Sequence, residues 1–271
     1  MNHPKPPLFA TMPDVQAARD ERKLAIDQVG IRGLRYPLPI ADRDGVQTTI
    51  AECGAYVALP AEQKGTHMSR LVALLEERAL PDAEPVGAAT LGALVGDLLR
   101  RLDARAGRLE LVFPFFLRKR APVSGIASLL DYRARLTGEV VDGAYRQELG
   151  VEVPVTSLCP SSKEISDYGA HNQRSVITLR ARAKPSLWLA DLVRVAEEEA
   201  SSELYGILKR ADEKFVTERA YDNPRFVEDL VRGVALQLGA DPRIEAYSVE
   251  AENFESIHNH SAYARITRGL A

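Results

Sequence analysis

Between Thr156 and Ser175 the chain reads T-S-L-C-P-S-S-K-E-I-S-D-Y-G-A-H-N-Q-R-S. One cysteine, a lysine, acidic residues and a histidine fall within about twenty positions, between two runs that read as strands. A lone cysteine is most often a small buried hydrophobe, and a lone histidine a satisfied polar residue. Grouped, Cys159 and His171 are the thiolate and imidazole that a zinc-type divalent metal takes, and a catalytic site of that kind keeps one position open. His258-x-His260 falls in a stretch read as strand, where alternate side chains share a face and both rings can address one cavity. Glu213 and Glu228 stand at or near helices between these histidines. Glu228 also suits a first helical turn, where the dipole favours a carboxylate. Lys163, Arg174, Lys64 and Arg70 are cations able to hold phosphate, although each alone is more often a surface charge.

The chain needs elements to bring these positions together. At 271 residues, 45% hydrophobic and 27% charged, it can bury a substantial core as one large domain or two ordinary ones. A net charge of −3 argues against general nucleic-acid binding, which needs a basic face. No apolar run approaches the ~20 residues of a membrane span, and Met1 to Pro7 lacks the apolar core of an export signal. Two cysteines make a disulfide framework implausible and a reducing cytoplasm the expected compartment.

Residues 1–30 read as an extended arm. Gln47 to Pro60 alternates as a half-buried strand that includes Cys53, so Cys53 is expected to be structural. Ala88 to Ala106 repeats leucines at helical spacing, with Gly107 as a stop. Leu109–Leu117 and Leu129–Val141 read as strands, as do Val151–Val155 and Ser175–Arg182. Ser186 is expected to cap a helix running toward Leu208, and Asn223-Pro224 to start one reaching Gly239. Arg243–Glu252 and Ile257–Arg268 close the chain as strands. The pattern x-G-x-H-x-x-R occurs at Lys64–Arg70 and again at Tyr168–Arg174. Taken as equivalent places in an internal duplication, it draws Met68–Glu76 toward strand. The expected units are the arm, a first repeat over 31–145 and a second over 146–271 that carries the metal site.

The strings Q-T-T-I (47–50), K-G-T-H-M-S-R (64–70), L-C-P-S-S-K-E-I-S-D-Y-G-A-H-N-Q-R-S (158–175) and E-S-I-H-N-H-S-A (255–262) closely resemble the type IB GTP cyclohydrolases. The likeness spans nearly the whole chain from Asp14, with Ser161 standing where many members carry a second cysteine. It implies an α+β tunnelling fold (T-fold): two tandem repeats of antiparallel strands with helices on one face, assembled as a homotetramer. It implies hydrolysis of GTP to 7,8-dihydroneopterin triphosphate and formate in folate synthesis, with one Zn2+ or Mn2+ per chain. By similarity, Cys159, His171, Glu213 and His258 surround the metal, and Glu228 competes for the carboxylate place. His260 and Glu228 are the candidates for proton transfer. Glu255 looks like the purine anchor, since a carboxylate accepts two hydrogen bonds from guanine. Lys163 and Arg174, with Lys64, His67 and Arg70 of a neighbouring subunit, would neutralise the triphosphate. The alternatives are a T-fold nitrile reductase, where the cysteine is a nucleophile, and a non-catalytic purine- or pterin-binding T-fold protein.

Overall fold

Every second residue along the long strands is buried, and this period sets the architecture. In β3 (Gly107–Arg120) the inward set is Leu109, Leu111, Phe113 and Phe115; in β5 (Ala144–Leu158) it is Leu149, Val151, Val153 and Val155. A computed structural model of the chain describes residues 13–270. Its strands are β1 (Ile26–Asp42), β2 (Gly45–Leu59), β3, β4 (Ala127–Val141), β5, β6 (Asn172–Ala183), β7 (Ser202–Glu203), β8 (Ile244–Asn253) and β9 (Ala262–Arg268). They form one antiparallel sheet in the order β1-β2-β3-β4-β5-β6-β8-β9, with the short β7 on β5. The apolar face is covered by α1 (Met68–Arg78), α2 (Leu91–Leu102), α4 (Leu189–Glu199) and α6 (Val227–Ala240), with α3 (Pro160–Ile165) and α5 (Arg210–Asp222) beside them. Each covering helix is apolar at three- and four-residue spacing, as at Leu91, Leu94, Val95 and Leu98 of α2 and Leu230, Val231, Val234 and Leu238 of α6.

Strand, strand, two helices, strand, strand is the order from β1 to β4 and again from β5 to β9, where the short α3 and β7 and a third full helix, α5, are added. The halves meet at Asp142-Gly143, both with positive φ (52° and 75°), a tight hairpin of the type Asp-Gly favours. The Q-T-T-I string has a structural task. The β2–β3 ladder stops at Glu52↔Val112. Beyond it the Gln47 amide donates to the Phe116 carbonyl (3.0 Å) and accepts its N–H (2.8 Å), while the Thr49 hydroxyl donates to the carbonyl of Pro114 (2.8 Å). Pro114 has no N–H for a ladder bond, and these side chains bridge the gap.

Several sequence expectations are corrected. Met68–Glu76 is helical, part of α1, with Leu71, Leu74 and Leu75 buried. The shared G-x-H-x-x-R pattern does not mark equivalent places: its first copy links β2 to a helix, its second links β5 to β6. β1 starts at Ile26, inside the stretch read as an arm; of that stretch, residues 1–12 lie outside the described ones. Trp188 rather than Ser186 caps α4, which ends at Glu199 rather than near Leu208. The chain leaves there because β5 pairs with β4 only up to Glu152, and β7 fills the free edge at Val155 and Thr156. Asn223 ends α5 instead of starting α6, whose cap is Phe226. β9 begins at Ala262, so His258 and His260 lie in a loop and not on a strand.

Candidate active site

β5 ends, β6 begins and β8 ends at the same edge of the sheet, so the loops 159–171 and 254–261 meet there. Beneath them runs a buried polar chain. The hydroxyl of Ser175 donates to Asn253 Oδ1 (2.8 Å), the Asn253 amide to the hydroxyl of Ser157 (3.1 Å), and that hydroxyl to the carbonyl of Arg225 (3.0 Å). All three side chains are almost fully buried, which makes each bond costly to break. The chain ties three strand ends and the approach to α6 into one frame.

Cys159 follows directly on β5. Its N–H donates to the carbonyl of His171 (3.1 Å), closing the loop, and its sulfur accepts the Ser162 N–H (3.4 Å). His171 is held from three sides. Its Nδ1 lies 2.8 Å from Oε1 of Gln173, 3.4 Å from the Ser256 hydroxyl and 3.9 Å from Oε2 of Glu255. A proton on Nδ1 satisfies the Gln173 oxygen and leaves the Nε2 lone pair free, which is the form a ligating histidine takes. Gln173 was not among the residues singled out from the sequence. The available signal was its position two residues after His171 at the start of an alternating strand, on the same side.

The other expected residues are placed less centrally. His258 and His260 are exposed in the 254–261 loop, with rings stacked at 5.2 Å between centroids. Glu213 and Glu228 are exposed in the first turns of α5 and α6. Lys163 reaches α5 instead of open solvent: its ammonium donates to the Tyr221 carbonyl (2.5 Å) and lies 4.3 Å from the centre of the Tyr221 ring. Glu213 is eight residues earlier on that helix, about 12 Å along its axis. Arg174 is exposed and makes no ion pair among the described residues. His67 and Arg70 belong to α1 and its cap in the first half, where His67 pairs with Asp14 (3.1 Å) and Arg70 donates to the carbonyl of Arg101 (3.0 Å).

Among the described residues of one chain, no three His, Cys, Asp or Glu side chains cluster tightly enough to hold a metal ion. In kind the donors do fit a borderline-soft divalent ion: a thiol at the end of β5, and an imidazole with a free Nε2 backed by amide and carboxylate oxygens. Cys53, the other thiol, is buried in the β2 face, and burial pushes it up to about 12, as an inert core residue requires.

The fold is shared with solved structures far in sequence. Urate oxidase from Bacillus sp. TB-90 superposes with a TM-score of 0.51 at 8% identity, covering 90% of this chain and all of that one. A highly active mutant of the same enzyme gives 0.50 at 10% identity, covering 89% of this chain and 99% of that one. Likeness at that identity speaks for the fold alone. Sequence comparison is far more specific. GTP cyclohydrolase FolE2 of Paraburkholderia xenovorans (strain LB400) is 58% identical over 258 residues, covering 95% of each chain. GTP cyclohydrolase FolE2 2 of Cupriavidus metallidurans (strain CH34) is 59% identical over 255 residues, covering 94% of each. A family model described as type I GTP cyclohydrolase folE2 matches residues 12–264, and the chain belongs to that family.

Proposed function

We propose that this chain is a type IB GTP cyclohydrolase of the cytoplasm, a homotetramer that converts GTP and water to 7,8-dihydroneopterin triphosphate and formate in folate biosynthesis. The observation that carries the reading is the Cys159–His171 loop, with its Nε2 left free, in a chain 58% identical to a named GTP cyclohydrolase over nearly its full length. No helix among the described residues is long and apolar enough to cross a membrane.

Cys159 and His171 would hold Zn2+ or Mn2+, with Glu213 and His258 as further donors and Glu228 as the competing carboxylate. When bound, such an ion supplies Lewis acidity and a more acidic water for attack on carbon 8 of guanine. Glu255 accepts hydrogen bonds from the ring N–H and amino group of guanine, which fixes carbon 8 toward the thiol and imidazole. His260 and Glu228 move the protons: the opening imidazole nitrogen needs one, and the attacking water must give one up. A second water cleaves the formamide so formed, and the formyl carbon leaves as formate. The ribose then rearranges and closes onto the freed amine, returning one water.

The basic loop of the first half would act on a neighbouring subunit's substrate. β2 and β5 run in opposite directions, so the loop after Leu59 and the loop after Leu158 leave the sheet at opposite ends. The ladders align Val57 with Gly107, Gly107 with Val140 and Val140 with Tyr145. From Tyr145 to Leu158 is on the order of 40 Å of extended strand. Lys64, His67 and Arg70 therefore reach a triphosphate beside Cys159 only from a second copy, joined by the symmetric assembly such enzymes need.

The test is purified protein with GTP, read by pterin fluorescence and formate, before and after a chelator. Activity lost to the chelator and restored by manganese or zinc supports the reading. A metal-free protein that remains fully active refutes the metal's role, and absence of pterin with metal supplied refutes the function.

A further inference from the structure

The basic loop of the first half has a partner that sequence spacing does not announce. Residues 14–20 lie along it as a strap: the Gly65 N–H donates to the carbonyl of Gln16 (3.1 Å), the Lys64 N–H to Ala18 (3.0 Å), and the Asp20 N–H to Glu62 (2.9 Å). At the start of the strap both carboxylate oxygens of Asp14 lie 3.1 Å from Nε2 of His67. Asp14 is itself fixed by the Ala17 N–H (3.1 Å). The His67 ring makes no capping bond to α1, and its Nδ1 has no partner among the described residues.

We propose that Asp14 is a positioning residue for the polyphosphate end of the substrate, acting through His67 across the subunit boundary. This rests on the reading of Lys64, His67 and Arg70 as triphosphate contacts. A neutral imidazole that gives its Nε2 proton to Asp14 presents a lone pair at Nδ1, which repels a phosphate oxygen. With Nε2 turned to Asp14, Nδ1 is the ring's outward atom, and a ring carrying both protons donates from it to a phosphate oxygen. Asp20, the strap's other acid, is taken by Arg22 (2.6 Å). The strap thus supplies a carboxylate that holds the His67 ring by Nε2 and sets the direction in which Nδ1 points. Because Asp14 is half exposed, its effect is moderate.

The experiment compares full-length wild type with Asp14→Asn, which keeps an acceptor oxygen and loses the charge. Steady-state turnover of GTP is measured, with guanosine as a competitive inhibitor lacking phosphates. Expected is a rise in KM for GTP of about three- to tenfold, kcat within about twofold, an unchanged inhibition constant for guanosine, and partial recovery in Asp14→Glu. Asp20→Asn, on the same strap, leaves KM unchanged. An unchanged KM for GTP in Asp14→Asn overturns the inference. So does equal weakening of GTP and guanosine, which would mean that Asp14 serves only the fold. Wild type without GTP turnover sinks the proposed function itself, whereas turnover with an indifferent Asp14 sinks this inference alone.

Discussion

The carboxylate of Glu255 lies 3.9 Å from Nδ1 of His171, and the two side chains are only 12% and 13% exposed. Glu255 thus stands behind a candidate ligand as well as beside the guanine pocket proposed for it. At that distance it is a charge behind the ring, whereas the hydrogen-bond partner of Nδ1, which orients the ring, is Gln173 at 2.8 Å.

Gln173→Ala should therefore weaken metal affinity by about 10- to 100-fold, the usual cost of losing such a partner, whereas Glu255→Gln should mainly weaken GTP binding. Titration with zinc against a competing chelator measures the first effect and inhibition by guanosine the second. Unchanged metal affinity in Gln173→Ala would contradict the ring orientation read from that bond.

The two thiols should differ sharply in reactivity. Cys53 is buried and pushed up to about 12 by burial, with the Glu52 charge adding to it, whereas Cys159 is partly exposed on its loop. Iodoacetamide at pH 8 should label Cys159 in the folded protein and Cys53 only after denaturation, as read by peptide mass spectrometry. Labelling of both at similar rates would contradict the packing of β2.

Much of the fold was legible because its strands are buried on one face and alternate cleanly, as in Val151, Val153 and Val155. What failed has identifiable causes. Met68–Glu76 carries Leu71, Leu74 and Leu75 at helical spacing, but a chance match of G-x-H-x-x-R outweighed that period. β1 holds Pro37 and Pro39, which an edge strand tolerates and a strand search penalises. α5 buries little besides Asp212 and Ala220, so it shows no apolar stripe. At the site, Cys159 and His171 were visible as types in a dense string. The partners that orient them, Gln173 at the next alternate position and the Ser157–Asn253–Ser175 chain across three strands, look like ordinary strand polar residues until the sheet pairs them. Asp14 and His67 are 53 positions apart, and only the strap joins them.

Acid should remove one identifiable contribution to stability. The Arg243 guanidinium holds the Asp241 carboxyl below the usual range, and bridges to Asp191 as well. A depressed carboxylate contributes stability above its unfolded value of about 3.9 and loses it as pH falls through the lower folded value. Asp241→Asn should cost about 1 kcal/mol or less at pH 7, given solvent screening, or roughly 2–4 °C in Tm. The deficit should shrink toward pH 2 to 3. A deficit independent of pH would point to packing instead of charge.

If the basic loop serves a neighbouring site, two inactive variants should rescue each other. His67→Ala and Cys159→Ala, unfolded together and reassembled in equal amounts, should recover about a quarter of the wild-type sites, because each intact site draws one sound surface from each of two chains. Activity no greater than in either variant alone would place both surfaces within one chain.

The most direct test is formate released from GTP by Cys159→Ala, with metal supplied and folding confirmed by circular dichroism and Tm. Loss of release by at least about a thousandfold is expected if the thiolate seats the ion that activates water. Turnover within tenfold of wild type in a folded Cys159→Ala protein would contradict the site at the end of β5.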